Sequence, residues 1–203
     1  TLGRLGLLGL EAGLWVVPFA VNTGSRDVFR HETFLVKDAQ GRPKVLGGAG
    51  GGHCIDPTHP DGERWLRELF ARLRGWGASY FKLEYLRALL APEPYDPEDG
   101  LDSPRVHWNG ATRAEAYHRG LEIVRDAAGD SAYLVGCGAP LLPGAGLLDG
   151  HRIGQDISGV WHDGRTGVRD CARNAACNFF WHGRVWSITR SKLRRWIRLA
   201  PSP

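Results

Sequence analysis

Gly13-Leu-Trp-Val-Val-Pro-Phe-Ala-Val21 is a near-continuous apolar run. Such a run predicts a strand buried on both faces. The pattern then changes period. Trp65, Leu66, Leu69, Phe70 and Leu73 fall on one helical face, opened by Thr58-x-x-Asp61 with Pro60 and closed at Gly75 or Gly77. Residues 79–86 read as a second strand, and Thr112-x-x-Glu115 as a capping box. That box opens a helix carrying Tyr117, Leu121 and Val124, which stops at Gly129. A third strand is predicted at 131–137, a short fourth at 151–158, a helix at 166–177 and a fifth strand at 179–186. Two connections are oversized, a Gly-rich one over 22–57 and one rich in Pro and Asp over 91–111. Loops of that length in a compact domain point to coverage of a site.

Strand and helix alternate wherever both can be read, which argues for parallel βαβ units. Polar residues gather at the C-terminal ends of the predicted strands, where a (β/α)₈ TIM barrel keeps its chemistry. A doubly wound α/β sheet is the runner-up. Its phosphate loop is missing, because the glycines at 47, 48, 50, 51 and 52 match neither G-x-G-x-x-G nor a P-loop. A full barrel takes about 250 residues. With five predicted strands in 203 residues, the expectation is an incomplete TIM barrel over 1–186, about five of eight strands, followed by a basic tail over 187–203.

Charge sharpens that division. After Asp170 come Arg173, Arg184, Arg190, Lys192, Arg194, Arg195 and Arg198 without one acid, so the net +4 is a property of the tail. The body carries more acids than bases and offers nucleic acid no electrostatic reason to bind. The tail could lie on a membrane surface or polyanion as a basic amphipathic helix; a solvated extension is the favoured reading. The longest apolar run, nine residues from Gly13, is too short to span a bilayer. No secretory signal is visible. Cys54, Cys137, Cys171 and Cys177 lack the spacing of a zinc or redox pair. Reduced, structural thiols and a cytoplasmic setting are expected. Glycine, 28 of 203 residues, is about twice ordinary usage but without collagen's period.

Lys82 and Glu84 stand two apart on one strand, so both side chains leave the same face near its C-terminal end. An ammonium beside a carboxylate holds it ionised, as a nucleophile requires. Arg152 and Asp156 are four apart, again on one face if that segment is extended. Two carboxylates from neighbouring strands, each with a cationic partner, suit retaining glycoside hydrolysis, in which one attacks and the other donates a proton. The other reading is two surface ion pairs at strand ends. His53, Cys54 and His59 repeat no ligand spacing, so no metal site is assigned. No G-x-S-x-G elbow supports acyl transfer.

Five words occur in one order: Gly13-Leu-Trp-Val-Val-Pro-Phe19, Cys54-Ile-Asp-Pro-Thr-His-Pro-Asp61, Tyr80-Phe-Lys-Leu-Glu-Tyr85, Gly136-Cys-Gly-Ala-Pro140 and His151-Arg-Ile-Gly-Gln-Asp-Ile157. Together they resemble the catalytic barrel of the α-galactosidases (melibiases), glycoside hydrolase family 36 and its relatives, over roughly residues 5–186. The resemblance implies retaining hydrolysis of terminal α-D-galactosides, with an α-galactoside oligosaccharide as substrate and no metal or organic cofactor. By its word positions Glu84 would be the nucleophile and Asp156 the general acid/base. Lys82 and Arg152 would contact sugar hydroxyls, Cys137 and Gly138 would line the floor, and Trp15 the wall; Trp161, outside these words, flanks the proposed site. The two carboxyls should then stand about 5–5.5 Å apart.

The chain departs from the family pattern in three ways. Glu84 stands where the family word has Asp, one methylene shorter. The first two barrel strands, the second of which supplies acidic residues that grip galactose in relatives, would precede residue 1. After Trp186 the chain turns basic where relatives carry an Asp-Pro-Asp-like word. These departures suggest a truncated or frame-altered relative. The alternatives are a non-catalytic remnant, an α-glycosidase of another sugar specificity and a binding module built on the basic tail. Unpaired edges on an open barrel would also favour association into an oligomer.

Overall fold

Thr112 and Gly129 bound the most clearly signalled helix. In the computed structural model, which describes residues 2–22, 24, 32–46, 52–90 and 107–189, Thr112 Oγ1 accepts from Glu115 N at 3.2 Å. Glu115 Oε2 accepts in return from Thr112 N at 2.7 Å, the reciprocal box expected of this spacing. The helix runs Arg113–Ala128 and ends at Gly129 with φ 78°, a conformation only glycine adopts without strain.

In chain order the helices are α1 (Leu2–Leu7), α2 (Pro60–Gly75), α3 (Arg113–Ala128) and α4 (Val168–Asn178), and the strands β1 (Ala12–Val16), β2 (Ala20–Asn22), β3 (Val45–Leu46), β4 (Gly52–Cys54), β5 (Ala78–Leu83), β6 (Tyr133–Gly136), β7 (Gly150–Arg152) and β8 (Ser187–Thr189). The α2 cap is His59 rather than Thr58: its Nδ1 accepts from Asp61 N. Thr58 is drawn away, both its N and Oγ1 donating to Asp56 Oδ1 at 3.0 and 2.6 Å.

β1, β5, β6, β7 and β8 form one parallel sheet in that order. The fold is α/β, and the sheet matches part of a TIM barrel without closing among the described residues. On β5 the residues alternate: Phe81 and Leu83 are fully buried, and Phe70 of α2 meets Phe81 edge to face at 5.4 Å. The opposite face carries Tyr80 and Lys82. Tyr80 stacks on Tyr133 at 5.6 Å, and this layer needs small neighbours. A Cβ at Gly13 would come within 3.0 Å of the Tyr80 ring, and one at Gly150 within 3.1 Å of the Tyr133 hydroxyl. Behind β6 and α3, Arg125 donates to Leu147 O, Ala132 O and Asp149 Oδ2, and Asp149 accepts from Leu134 N. One guanidinium thus joins helix, strand and the turn into β7.

Three expectations are corrected. The apolar run 13–21 is not one strand. It breaks at Pro18, which has no N–H for a ladder, and β2 turns off to pair antiparallel with β4 in a second sheet completed by β3. Its apolar character persists because Phe19 is fully buried against Tyr117 of α3. The short strand expected at 151–158 ends at Arg152, whose Nε reaches Gly154 O at 2.8 Å as the chain turns. The strand expected at 179–186 lies later, at Ser187–Thr189. The aromatic density that suggested it belongs instead to a 3₁₀ turn at Phe179–Trp181 and a Trp181–Trp186 stack at 5.6 Å. The sheet therefore includes the first three residues of the segment read as a basic tail; residues 190–203 lie outside those described.

All four cysteines are free. Among the described residues no helix is long and apolar enough to cross a membrane.

Candidate active site

Strand register brings the candidate residues together. Trp15 on β1 is the ladder partner of Lys82 on β5, so the two side chains leave one face side by side. Glu84 follows two residues on, its N donating to Val16 O at 2.8 Å. It is the last residue in strand orientation, because Tyr85 turns abruptly with φ 53°. A left-handed non-glycine residue next to the Glu84 carboxylate is locally strained backbone, of the kind that clusters at functional sites. Leu83 pairs with Gly136 and Gly136 with His151. Extending that register by one residue sets Glu84, Cys137 and Arg152 in a row at the C-terminal ends of three consecutive strands.

The side chains converge on the Glu84 carboxylate, which is 13% exposed. Oε2 accepts from Trp15 Nε1 at 2.8 Å and from Lys82 Nζ at 2.9 Å, and Cys137 is a third hydrogen-bond partner. Burial pushes the Glu84 pKa up, but the bonds from Cys137, Trp15 and Lys82 outweigh it and hold the carboxyl below its ordinary range. The Cys137 thiol moves the other way: burial, then the adjacent Glu84 charge, push it up to about 12. It is a neutral donor to Glu84 rather than a nucleophile. Gly138 follows with φ 61°, its carbonyl accepting from Arg87 N at 3.0 Å.

Asp156 differs in surroundings. Its side chain is 67% exposed and takes one guanidinium contact, Arg152 Nη1 to Oδ1 at 2.8 Å. Arg152 stands close enough for its charge to act on Cys137, which ties the second carboxylate's partner to the Glu84 row. The structure thus gathers Trp15, Lys82, Glu84, Cys137 and Arg152, with Asp156 reached through Arg152. Among the described residues no hydrogen bond or ring contact joins Trp161 to them. It is 68% exposed, on a loop fastened from below by two aspartates. Asp170 accepts from His162 Nδ1 at 2.7 Å and from Gly164 N at 3.1 Å. Asp163 accepts from Arg165, Thr166 and Gly167 N.

Two positioning features escape a sequence reading. Asn174 of α4 donates to Ile153 O at 2.5 Å, gripping the turn between Arg152 and Asp156; nothing local marks it. Asp56 and His107 form a buried pair, foreshadowed only by Asp-Pro before a helix start. His53, Cys54 and His59, neighbours in sequence, are engaged separately, with Lys44 O, Ala88 O and the α2 cap. Among the described residues no group of three or more His, Cys, Asp or Glu is arranged to hold a metal.

No family model matches the chain. Similar solved structures include the α-galactosidase of Thermus thermophilus in complex with stachyose, 25% identical over 98% of this chain with a TM-score of 0.73. The same enzyme with p-nitrophenyl α-D-galactopyranoside matches at 25% identity over 98% and a TM-score of 0.71. The chain spans 43% and 41% of those two chains. A family 31 sulfoquinovosidase from E. rectale, bound to an aza-sugar inhibitor, shares the fold at 13% identity over 79% of this chain and 24% of its own, TM-score 0.62. The structural neighbours of this chain are thus α-galactosidases and other glycoside hydrolases.

Proposed function

We propose that this chain carries the two-carboxylate site of a retaining α-galactosidase, with Glu84 as nucleophile and Asp156 as general acid/base. The observation that carries the reading is the Glu84 carboxylate. It is ionised, mostly buried and collected by side chains from three strands at the end of the sheet where a barrel does its chemistry. A carboxylate meant only for a surface ion pair would not need three donors.

In this scheme a Glu84 oxygen attacks the anomeric carbon of a terminal α-galactoside while Asp156 gives its proton to the departing glycosidic oxygen. The C–O bond to the leaving group breaks as the glycosyl ester to Glu84 forms, with inversion. Asp156, now a carboxylate, takes a proton from water, which displaces Glu84 with a second inversion and releases α-galactose. Lys82 and Arg152 bind sugar hydroxyls, Cys137 and Gly138 form the floor, Trp15 a wall, and Trp161 the rim. The exposure of Asp156 suits a group that must serve first a leaving group and then water. The sequence of steps needs no metal or organic cofactor. Stachyose in the Thermus enzyme supports an α-galactoside oligosaccharide as substrate.

The test is turnover of a chromogenic aryl α-galactoside by the full chain, with the first-formed anomer followed by NMR. Asp156→Asn should lose on the order of 10²–10⁴-fold in rate, and the product should first appear as α-galactose. A folded chain without turnover, or turnover indifferent to Asp156→Asn, overturns the assignment. A panel of α-glucoside and other α-glycosides reads out sugar preference.

A further inference from the structure

One atom of the site is held twice. Glu84 Oε2 accepts from the charged Lys82 Nζ and from the neutral Trp15 indole at nearly equal distance, 2.9 and 2.8 Å. Lys82 is expected there, two residues back on the same face. Trp15 is the unexpected partner, because 60% of it is open to solvent. Most of the ring lies in solvent, yet its polar edge points inward at the carboxylate.

The reach explains it. Trp15 is level with Lys82, not with Glu84, so it lies one strand across and two residues back. Neighbouring strands are about 4.8 Å apart and each residue advances about 3.3 Å. The indole and the carboxylate must span that offset between them. A carboxyl on a stem one carbon shorter, as in the Asp of the resembled family's word, falls short by up to about 1.5 Å. A contact of 2.8 Å lengthened by even half of that passes out of hydrogen-bond range.

We propose that Trp15 is a positioning residue for Glu84: its indole N–H shares Oε2 with Lys82, fixes the longer side chain in one rotamer and leaves the other carboxylate oxygen to face the sugar. The methylene that separates Glu84 from an aspartate is what recruits Trp15. The word nucleophile here rests on the function proposed above; the hydrogen-bonded pair does not. The role differs from that of an aromatic wall, which acts through the ring face and binds sugar whether or not the ring carries an N–H.

Among the described residues the charged or titratable groups facing Glu84 are few. Lys82 shares its strand, and β1 presents only the indole. The segment after β6 presents the Cys137 thiol, neutral across the working range. The end of β7 presents Arg152 with its partner Asp156. Asp156 is the other carboxylate on this face, so it is removed in a control.

The experiment uses the full chain labelled with ¹⁵N-tryptophan. The Trp15 indole cross-peak is assigned by its loss in Trp15→Phe, and is then followed from pH 7 downward. It should pass through one acid transition in the wild type and in Asp156→Asn, and stay fixed in Glu84→Gln. In Glu84→Asp it should lie at the position of a solvated indole. A Trp15 signal that does not titrate, or that titrates unchanged in Glu84→Gln, overturns the proposal. Kinetics give the second reading. Trp15→Phe keeps an aromatic face, so kcat should fall about tenfold with KM little altered, and the acid limb of kcat/KM should move to higher pH. In the Glu84→Asp background the same substitution should leave that limb in place. A rise in KM alone would return Trp15 to the role of a wall. A titrating Trp15 signal in a chain that turns over no galactoside upholds the pair and sinks the function. A turnover-competent chain whose Trp15 ignores Glu84 does the reverse.

Discussion

Asp56 and His107, 51 positions apart, meet in the interior with Oδ1 3.2 Å from Nδ1. The same carboxylate accepts from Thr58 N and Oγ1 and, through Oδ2, from Trp108 N at 2.7 Å. One acidic group therefore organises both the start of α2 and the return of the chain toward α3. An ionised carboxylate can only accept, so His107 Nδ1 carries the proton of this contact.

That pairing sets an acid dependence of stability. Burial pushes the Asp56 pKa up, but the bonds from His107, Thr58 and Trp108 prevail and hold it below the ordinary value. A depressed folded-state pKa contributes stability that is fully present above the unfolded value, about 3.9, and lost as pH falls through the folded one. Asp56→Asn should cost about 1–3 kcal/mol at pH 6. The gap from wild type should narrow below about pH 4. Urea midpoints between pH 6 and 3 check this; a gap that stays constant refutes it.

Gly62 tests how tightly α2 is seated. A Cβ there would stand 2.0 Å from the Asp56 carbonyl oxygen, a backbone atom with nowhere to go. Gly62→Ala should therefore destabilise by about 2–3 kcal/mol through overpacking. Gly75, at the other end of the same helix, has nothing within 4 Å, and Gly75→Ala should stabilise by about 0.5–1 kcal/mol. Thermal or urea unfolding of the pair decides; equal effects would mean helix propensity, not contact, governs both sites.

Asn174 is expected to matter for rate more than for stability. Its Nδ2 holds Ile153 O, while Asp156, three residues on, is otherwise anchored only by Arg152 among the described residues. Freeing that turn lets Asp156, the proposed acid/base, wander, and a misplacement of about 1 Å can cost about 100-fold. Asn174→Ala should lower kcat by about 10–100-fold while shifting stability by about 1 kcal/mol. A large loss of stability with unchanged kcat in the remaining folded fraction would make Asn174 purely structural.

How much of this could be read from the residues depends on how local each cause is. Thr112, Glu115 and Gly129 act within one helix, and the structure places the helix where they predict it. Lys82 and Glu84 follow from period-two alternation on one strand, and Trp15 from the word that resembles the family's; the three converge. Pro18 breaks the ladder inside an apolar run that reads as one strand, and the run stays apolar because Phe19 is buried against Tyr117. Phe179–Trp181 looked strand-like because aromatic content mimics β propensity; a stack on Trp186 supplies the reason instead. Asp56 with His107 and Asn174 with Ile153 depend on where distant segments meet, which no spacing encodes.

Glu84 yields the sharpest expectation because two effects oppose each other there. The extra methylene displaces the carboxylate from where an aspartate would present it, yet it gains the Trp15 bond that keeps it ordered and ionised. A single hydrogen bond to a charged group is worth about 1.5–3 kcal/mol, and a misplacement of about 1 Å about 100-fold, or about 2.7 kcal/mol. The two are comparable, so neither alone fixes the sign. Lys82, on a flexible four-carbon stem, can follow an aspartate carboxylate at this position, so replacing Glu84 by Asp keeps the charged partner, forfeits the indole bond and recovers the whole displacement. Glu84→Asp should therefore raise kcat on the aryl α-galactoside by a few-fold to about tenfold, with its acid limb moved to higher pH as the indole bond is lost. Parallel pH profiles of the two forms check both halves at once. A fall in kcat would mean that the scaffold has already adjusted to the longer side chain and that Trp15 is part of that adjustment.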